Sequence, residues 1–299
     1  MKRLIAIVFL LVLLSGCGPE IKGLQTREKV VQKEVQIIPK EIFDEPNATK
    51  IIEQVSGVNK TEWGFDDANN LVLIKKGVDE VKFYYKDGFL KKISDGDKNI
   101  ELEYFNGYLS SVSGDTDLPL HYVVEDGLLV SADDYHFTYT SEGNLWIFRE
   151  GLGSPLTWYY NQKEPNKLDF FKKGNVVTHF YYTDKNQLKH VDDNNVRHLI
   201  LGYGREQRLA SLSGELYGVA ETFDYDSGRV QIISNLQQNI FYGDDEVLRK
   251  KAFDYYMACT RIRNNFMVFE PIAYVVLNNY FGMSTYDYML QNFYCRWII

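Results

Sequence analysis

The chain has 299 residues, with 33 Lys and Arg against 41 Asp and Glu and a net charge of −8. That acidic balance argues against sequence-independent nucleic-acid binding, which relies on Lys and Arg at phosphates. With 22 Tyr and 18 Phe but only 7 Pro, the composition also excludes a disordered chain.

The N-terminus reads as an export signal. Lys2 and Arg3 precede an unbroken apolar run from Leu4 to Leu14, shorter than the roughly 20 residues that span a bilayer. Leu14-Ser15-Gly16-Cys17 then resembles the lipobox of bacterial lipoproteins, in which the cysteine is diacylated and becomes the first residue. The resemblance implies residues 1–17 as a lipoprotein signal with Cys17 lipidated. The expected location is extracytoplasmic, on the cell membrane or the outer membrane. Two acyl chains anchor stably where one binds only marginally. Gly18 stands where Asp would retain an enteric lipoprotein at the inner membrane, which favours the outer membrane in a host that has one. Loss of Lys2 and Arg3 with the signal takes the charge from −8 to −10. Residues 18–45 interleave Lys and Glu around Pro19 and Pro39 and read as a flexible stalk. Ile51, Ile52 and Val55 fall at helical spacing and predict one short helix within residues 46–60.

From Trp63 the period changes, and residues 61–243 read as a β-hairpin repeat domain. Two apolar or aromatic residues, two apart, precede a polar turn, and a Leu or Val follows it. Phe83 and Tyr85 lead through Lys86-Asp87-Gly88 to Leu90. Leu102 and Tyr104 lead through Asn106-Gly107 to Leu109, and Tyr122 and Val124 through Asp126-Gly127 to Leu129. Phe137 and Tyr139 reach Leu145, Trp158 and Tyr160 reach Leu168, and Phe180 and Tyr182 reach Leu188. Leu201 and Tyr203 reach Leu209, and Phe223 and Tyr225 reach Val230. Trp63 and Phe65, before Leu71, form a weaker first copy. Residues two apart share one face of a strand, so each pair points at one core. Asp-Gly and Asn-Gly suit tight hairpin turns because both central residues take positive φ. A lone hairpin is marginal in water, so copies recurring about every 20 residues are expected to stack.

These units resemble the YD repeat of the Rhs and YD-repeat family, which reads Tyr-Asp, two residues, Gly-Arg-Leu. Tyr225-Asp226-Ser227-Gly228-Arg229-Val230 matches most fully, one residue short and ending in Val. Most other copies lack the Asp after Tyr and the Arg before Leu. The resemblance implies a mainly β fold of stacked antiparallel hairpins in one long curled sheet. Full-length members close that sheet into a hollow shell, and this array reads as too short to do so. No Asp-Pro-rich motif of the kind that ends the family's core is found. Tyr84-Tyr85-Lys86-Asp87-Gly88 is also similar to variant MORN repeats, a second short hairpin family with the same local expectation.

Residues 244–299 change period again and predict a C-terminal helical segment. Asp244, Asp245 and Glu246 place negative charge at a helix start. Leu248, Ala252, Tyr255, Cys259, Ile262, Phe266 and Phe269 then form one apolar stripe, ended by Pro271. Shorter helices are expected to follow. The segment is expected to cap the last hairpin, as terminal repeats need covering. Cys259 and Cys295 could pair in an oxidising compartment or stay as buried thiols.

No catalytic constellation stands out, so no enzyme, metal or cofactor is expected. The five histidines show no zinc spacing. His190 and His198 flank Asp192 and Asp193, but Asp192-Asp193-Asn194-Asn195 reads more simply as a turn. Asp66-Asp67-Ala68-Asn69-Asn70 lacks the acidic spacing of a calcium loop. Gly202-Tyr203-Gly204 is no phosphate loop, and Gly151-Leu152-Gly153-Ser154-Pro155 is no nucleophile elbow. What remains is surface. Tyr84, Phe105, Tyr108, Tyr159, Phe171 and Tyr181 are expected on the opposite sheet face or in turns, where rings suit protein or glycan contacts. The leading expectation is a lipid-anchored envelope protein binding protein or glycan without catalysis. The alternatives are a small Rhs-type toxin relative with residues 244–299 as effector remnant, or an envelope hydrolase.

Overall fold

The structure is a computed structural model. It describes residues 43–193, 198–204, 208–214, 219–226, 229–234, 237–263, 269 and 271–298. The signal, Cys17 and residues 18–42 of the stalk lie outside the described residues.

Twenty strands run in chain order. They are β1 (Lys50–Ser56), β2 (Asn59–Phe65), β3 (Leu71–Lys76), β4 (Asp79–Lys86), β5 (Phe89–Ser94), β6 (Asn99–Phe105) and β7 (Tyr108–Gly114). Then come β8 (Tyr122–Glu125), β9 (Leu128–Ala132), β10 (Tyr135–Tyr139), β11 (Leu145–Glu150), β12 (Leu156–Tyr160), β13 (Leu168–Lys173) and β14 (Val176–Tyr182). β15 (Leu188–Asp193), β16 (His198–Tyr203), β17 (Leu209–Gly214), β18 (Val219–Asp226), β19 (Arg229–Ser234) and β20 (Gln237–Tyr242) complete the sheet. Three helices follow: α1 (Glu246–Arg263), α2 (Pro271–Phe281) and α3 (Thr285–Ile298). None of the described helices is long and apolar enough to cross a membrane.

Every strand but β7 pairs in an antiparallel ladder with the next, so the fold is mainly β in one curled sheet. The short helix expected in residues 46–60 is instead the β1–β2 hairpin, registered from Lys50↔Phe65 to Ser56↔Asn59. The Ile52 side chain is buried in the sheet's core, and pairing with two neighbours outweighs the local helical spacing. Asp192 and Asp193 likewise continue β15 opposite His179 and Thr178, so the turn expected there starts no earlier than residue 194, outside the described residues.

The sheet also meets itself. β1 pairs with β20 through Glu53↔Tyr242 to Ser56↔Asn239, so the curled sheet nearly closes on itself. Buried polar groups stitch that seam: Trp63 Nε1 donates to Gln54 Oε1 at 3.1 Å, and Gln54 Nε2 donates to Asn239 Oδ1 at 3.0 Å. The weakest junction lies between β7 and β8, where a single Ser111↔His121 bridge and the Val112 N–H to Leu120 O bond continue the ladder.

The repeat has a specific geometry. The second residue of each pair faces the following Leu directly: Tyr85↔Leu90, Tyr104↔Leu109, Tyr139↔Leu145, Tyr160↔Leu168, Tyr182↔Leu188 and Tyr203↔Leu209. A β-bulge follows each of these, placing one extra residue on the returning strand. The bulge turns the two-residue spacing into three, so Leu90 and Ile93, or Leu168 and Phe171, share the inner face. Phe171 therefore pairs with Trp158 inside and is buried, not on the outer face as strict alternation predicts. Phe223 and Tyr225 oppose Ile232 and Val230 with no bulge. The tight turns carry the expected backbone, with Asp87 and Gly88 at φ 53° and 79° and Asn106 and Gly107 at 52° and 84°.

The helices sit within the curl of the sheet. Among the described residues α1 runs to Arg263, Phe269 is a bend and Pro271 opens α2, so the helix expected through Phe269 does not include it. Proline suits a first helical position, where its missing N–H has no partner to lose. Phe269 lies between helices and packs against Phe137, Phe148, Trp158, Tyr274 and Tyr288. Phe253 meets Phe223 and Phe241, Tyr294 meets Phe83, and Phe293 meets Tyr122. The tail therefore does more than cap the last hairpin: its side chains join one apolar core with strands from β1 to β20. A disulfide joins Cys259 of α1 to Cys295 of α3, with Cα atoms 4.7 Å apart.

Candidate functional site: a polar cavity under the hairpin tips

The sequence singled out core residues, and the structure places them together. Phe83, Leu90, Leu109, Leu129, Phe137, Leu145, Leu168, Phe180, Leu188, Leu209, Phe223 and Val230 are buried in the shared core. Tyr85, Tyr104, Tyr139, Tyr160, Tyr182, Tyr203 and Tyr225 are partly buried against it. Four of their hydroxyls find backbone partners. Tyr139 donates to Leu129 O, Tyr160 to Leu145 O and Tyr203 to Leu188 O, each at 2.7 Å. The Tyr182 hydroxyl is hydrogen-bonded to the Leu168 backbone. Each of these tyrosines thus ties its hairpin to the Leu of the preceding one. Alternation in the sequence gives no sign of that tie.

The helices engage the same level of the sheet. The Leu109 N–H donates to Tyr286 Oη at 2.7 Å, and the Leu188 N–H to Asn279 Oδ1 at 3.0 Å. Tyr85 and Tyr294 share a hydroxyl–hydroxyl bond of 2.8 Å, and Tyr225 and Tyr280 one of 3.1 Å. Burial pushes the phenol of Tyr139 up to about 12, and those of Tyr203 and Tyr255 also to about 12. Deeper in, Arg261 of α1 forms a buried ion pair with Glu221 of β18.

Between the tips of the β10–β15 hairpins and the α2–α3 junction lies a cavity of about 210 Å³. The half-buried Tyr160 and Tyr182 supply its aromatic surface, above the buried Trp158. Asparagines come from both sides: Asn144, Asn166 and Asn186 from the turns, and Asn278 and Asn279 from α2. Ser284 and Thr285 close the helix side. Among the described residues no carboxylate lines it, and Lys167 is the one charged group. Lys167 Nζ is already held by Glu164 at 3.0 Å and lies 5.0 Å from the centre of the Tyr182 ring. None of these asparagines was singled out from sequence, because in a hairpin turn Asn is the ordinary choice.

A second aromatic feature lies on the outer face. Tyr159 stacks on Phe170 at 4.5 Å and Tyr181 on His190 at 4.1 Å, with His179 between them at 5.5 Å from Phe170 and 6.4 Å from Tyr181. Tyr159 and Tyr181 are exposed, as the sequence led us to expect. Their flat faces are taken by one another, so the band offers mostly ring edges to a ligand. Of the other rings expected outside, Phe105 and Tyr108 are exposed, whereas Tyr84 is covered by Phe43. Among the described residues, no group of three or more His, Cys, Asp or Glu could hold a metal ion.

No protein-family model matches this chain, and no curated protein matches it. Solved structures do. The Photorhabdus luminescens Tc holotoxin pore, with a mutated TccC3 component, aligns at 12% identity and a TM-score of 0.28. That alignment covers 62% of this chain and 11% of the other. A TcdB2–TccC3–TEV structure aligns at 12% identity and a TM-score of 0.27 over the same shares. A TcdB2–TccC3–Cdc42 structure aligns at 14% identity and 0.28, covering 58% of this chain and 12% of that one.

Proposed function

We propose that this chain is a lipid-anchored envelope protein whose repeat sheet is a non-catalytic binding or scaffold module for protein or glycan, distantly related to the YD-repeat family. The observation that supports this reading most is that α1–α3 share one core with the sheet. A curl filled by its own tail has no room for separate cargo, so recognition falls to its outer face and its ends. Reading residues 244–299 as an effector remnant gains little, since the segment's apolar side chains are spent on the sheet wall. An envelope hydrolase needs convergent acidic groups: the cavity under the tips has none among its described lining, and of Asp117, Asp133, Asp134 and Glu150 at a second cleft, Asp133 is held by the Leu120 and His121 N–H groups and Asp117 by Arg296.

Two measurements test the proposal. Full-length chain expressed with an alkyne-labelled fatty acid should take up label and fractionate with membranes. Cys17→Ala should lose the label and appear in the soluble fraction. The mature domain should then bind at least one member of a panel of purified envelope proteins and polysaccharides, releasing no product. An unlabelled Cys17, or cleavage of a bound polysaccharide, would sink the reading.

A further inference from the structure

We propose that the cavity between the β10–β15 hairpin tips and the α2–α3 junction is a binding site for one neutral, hydroxyl-rich sugar unit. The inference rests on the non-catalytic binding reading and gives it a ligand class. The amides that line the cavity are fixed at one end and open at the other. Asn279 Oδ1 is held by the Leu188 N–H, leaving Nδ2 with no partner among the described residues. Asn278 Nδ2 donates to Met283 O at 2.9 Å, which leaves its Oδ1 open as an acceptor. Asn144 Nδ2 donates to Pro165 O and to Asn166 Oδ1, each at 3.1 Å, so its Oδ1 is likewise open. One oriented donor and two oriented acceptors thus come from two different parts of the fold.

A sugar hydroxyl both donates and accepts, so it can satisfy that mixed set where a simple cation or anion cannot. Amides held in place before binding also save the ordering cost that mobile side chains would add. The half-buried Tyr160 and Tyr182 rings give apolar surface for the C–H faces of a pyranose. Charge selects further. The Lys167 ammonium is offset by Glu164, and among the described residues no carboxylate lines the cavity, so neither an acidic nor a basic ligand finds an open counter-charge there. The cavity holds a monosaccharide unit and not a chain, so a longer glycan would enter by its end.

The test titrates the mature domain with glucose, galactose, mannose and N-acetylglucosamine, with glucose 6-phosphate and glucuronate as charged counterparts. Binding is read by ligand NMR and by tryptophan fluorescence. We expect at least one neutral sugar to saturate and its charged counterpart to bind at least tenfold more weakly. Asn278→Leu should weaken binding about tenfold, the usual cost of an unmet polar group in a site. Asn166 is exposed, so Asn166→Trp should block the mouth and release the Asn144 amide with little change in the thermal midpoint. The inference fails if no neutral sugar saturates, if charged sugars bind better, or if both variants bind as the parent does. Binding to the envelope panel that persists in such a case would leave the broader reading standing and remove the cavity from it.

Discussion

At the scale of single residues, turns and tyrosines set the stability of the repeat. Gly107 sits at φ 84°, beyond an Asn also in the left-handed region, with open space where a side chain would project. Gly107→Ala therefore costs backbone strain and no clash, and it should lower stability by about 1 kcal/mol in urea unfolding. The buried tyrosines make a different demand. Folding raises the Tyr139, Tyr203 and Tyr255 phenols from near 10 to about 12. Below pH 10 both states are neutral there and the full stability is present. Above pH 10 the unfolded chain ionises first, and stability falls as pH rises through the folded values. Alkaline titration should show phenolate absorbance rising together with loss of the fold between about pH 10 and pH 12. Full phenolate absorbance from a still-folded chain near pH 10 would contradict the burial of these three.

At the scale of elements, the join between α1 and β18 is the place where polar chemistry enters the core. Arg261 is fully buried and its carboxylate partner Glu221 nearly so. Removing one partner leaves a buried charge, at a cost of about 3–5 kcal/mol, whereas replacing both with apolar residues can be neutral or stabilising. Arg261→Met and Glu221→Leu should each lower the thermal midpoint sharply, and the double variant should recover most of the loss. Additive losses in that double-mutant cycle would show the pair to be uncoupled. The Cys259–Cys295 bond acts at the same scale, holding α1 and α3 together across 36 residues of chain. It shortens the loops available to the unfolded tail and so favours the helical assembly.

For the whole molecule, the sheet and the tail are halves of one core. Phe269 alone meets rings from β10, β11, β12, α2 and α3. The curl without its helices exposes a continuous apolar inner face. A chain ending at residue 243 should therefore bind a hydrophobic dye and lose cooperative unfolding, while residues 244–299 alone should not hold their helices. A truncated sheet that unfolds as sharply as the full chain would show that the tail is an accessory.

Much of this was legible in the residues. Alternating rings and Asp-Gly or Asn-Gly turns determined the hairpins, because side-chain period and turn backbone are local properties. Sequence also named the two cysteines without pairing them. Period failed wherever a distant partner took over. The Ile51–Val55 spacing gave way to β1, which has β2 on one side and β20 on the other. Phe171 turned inward because a bulge shifted its strand by one residue. The cavity needed both the hairpin tips and the α2–α3 junction, whose asparagines lie more than 90 residues from the turns they face. The sequence by itself determined the repeating unit, since each hairpin is built from neighbours along the chain. Only the tertiary structure decided that β1 meets β20 and that the helices fill the curl, because burying the apolar inner face depends on partners that local pattern does not encode.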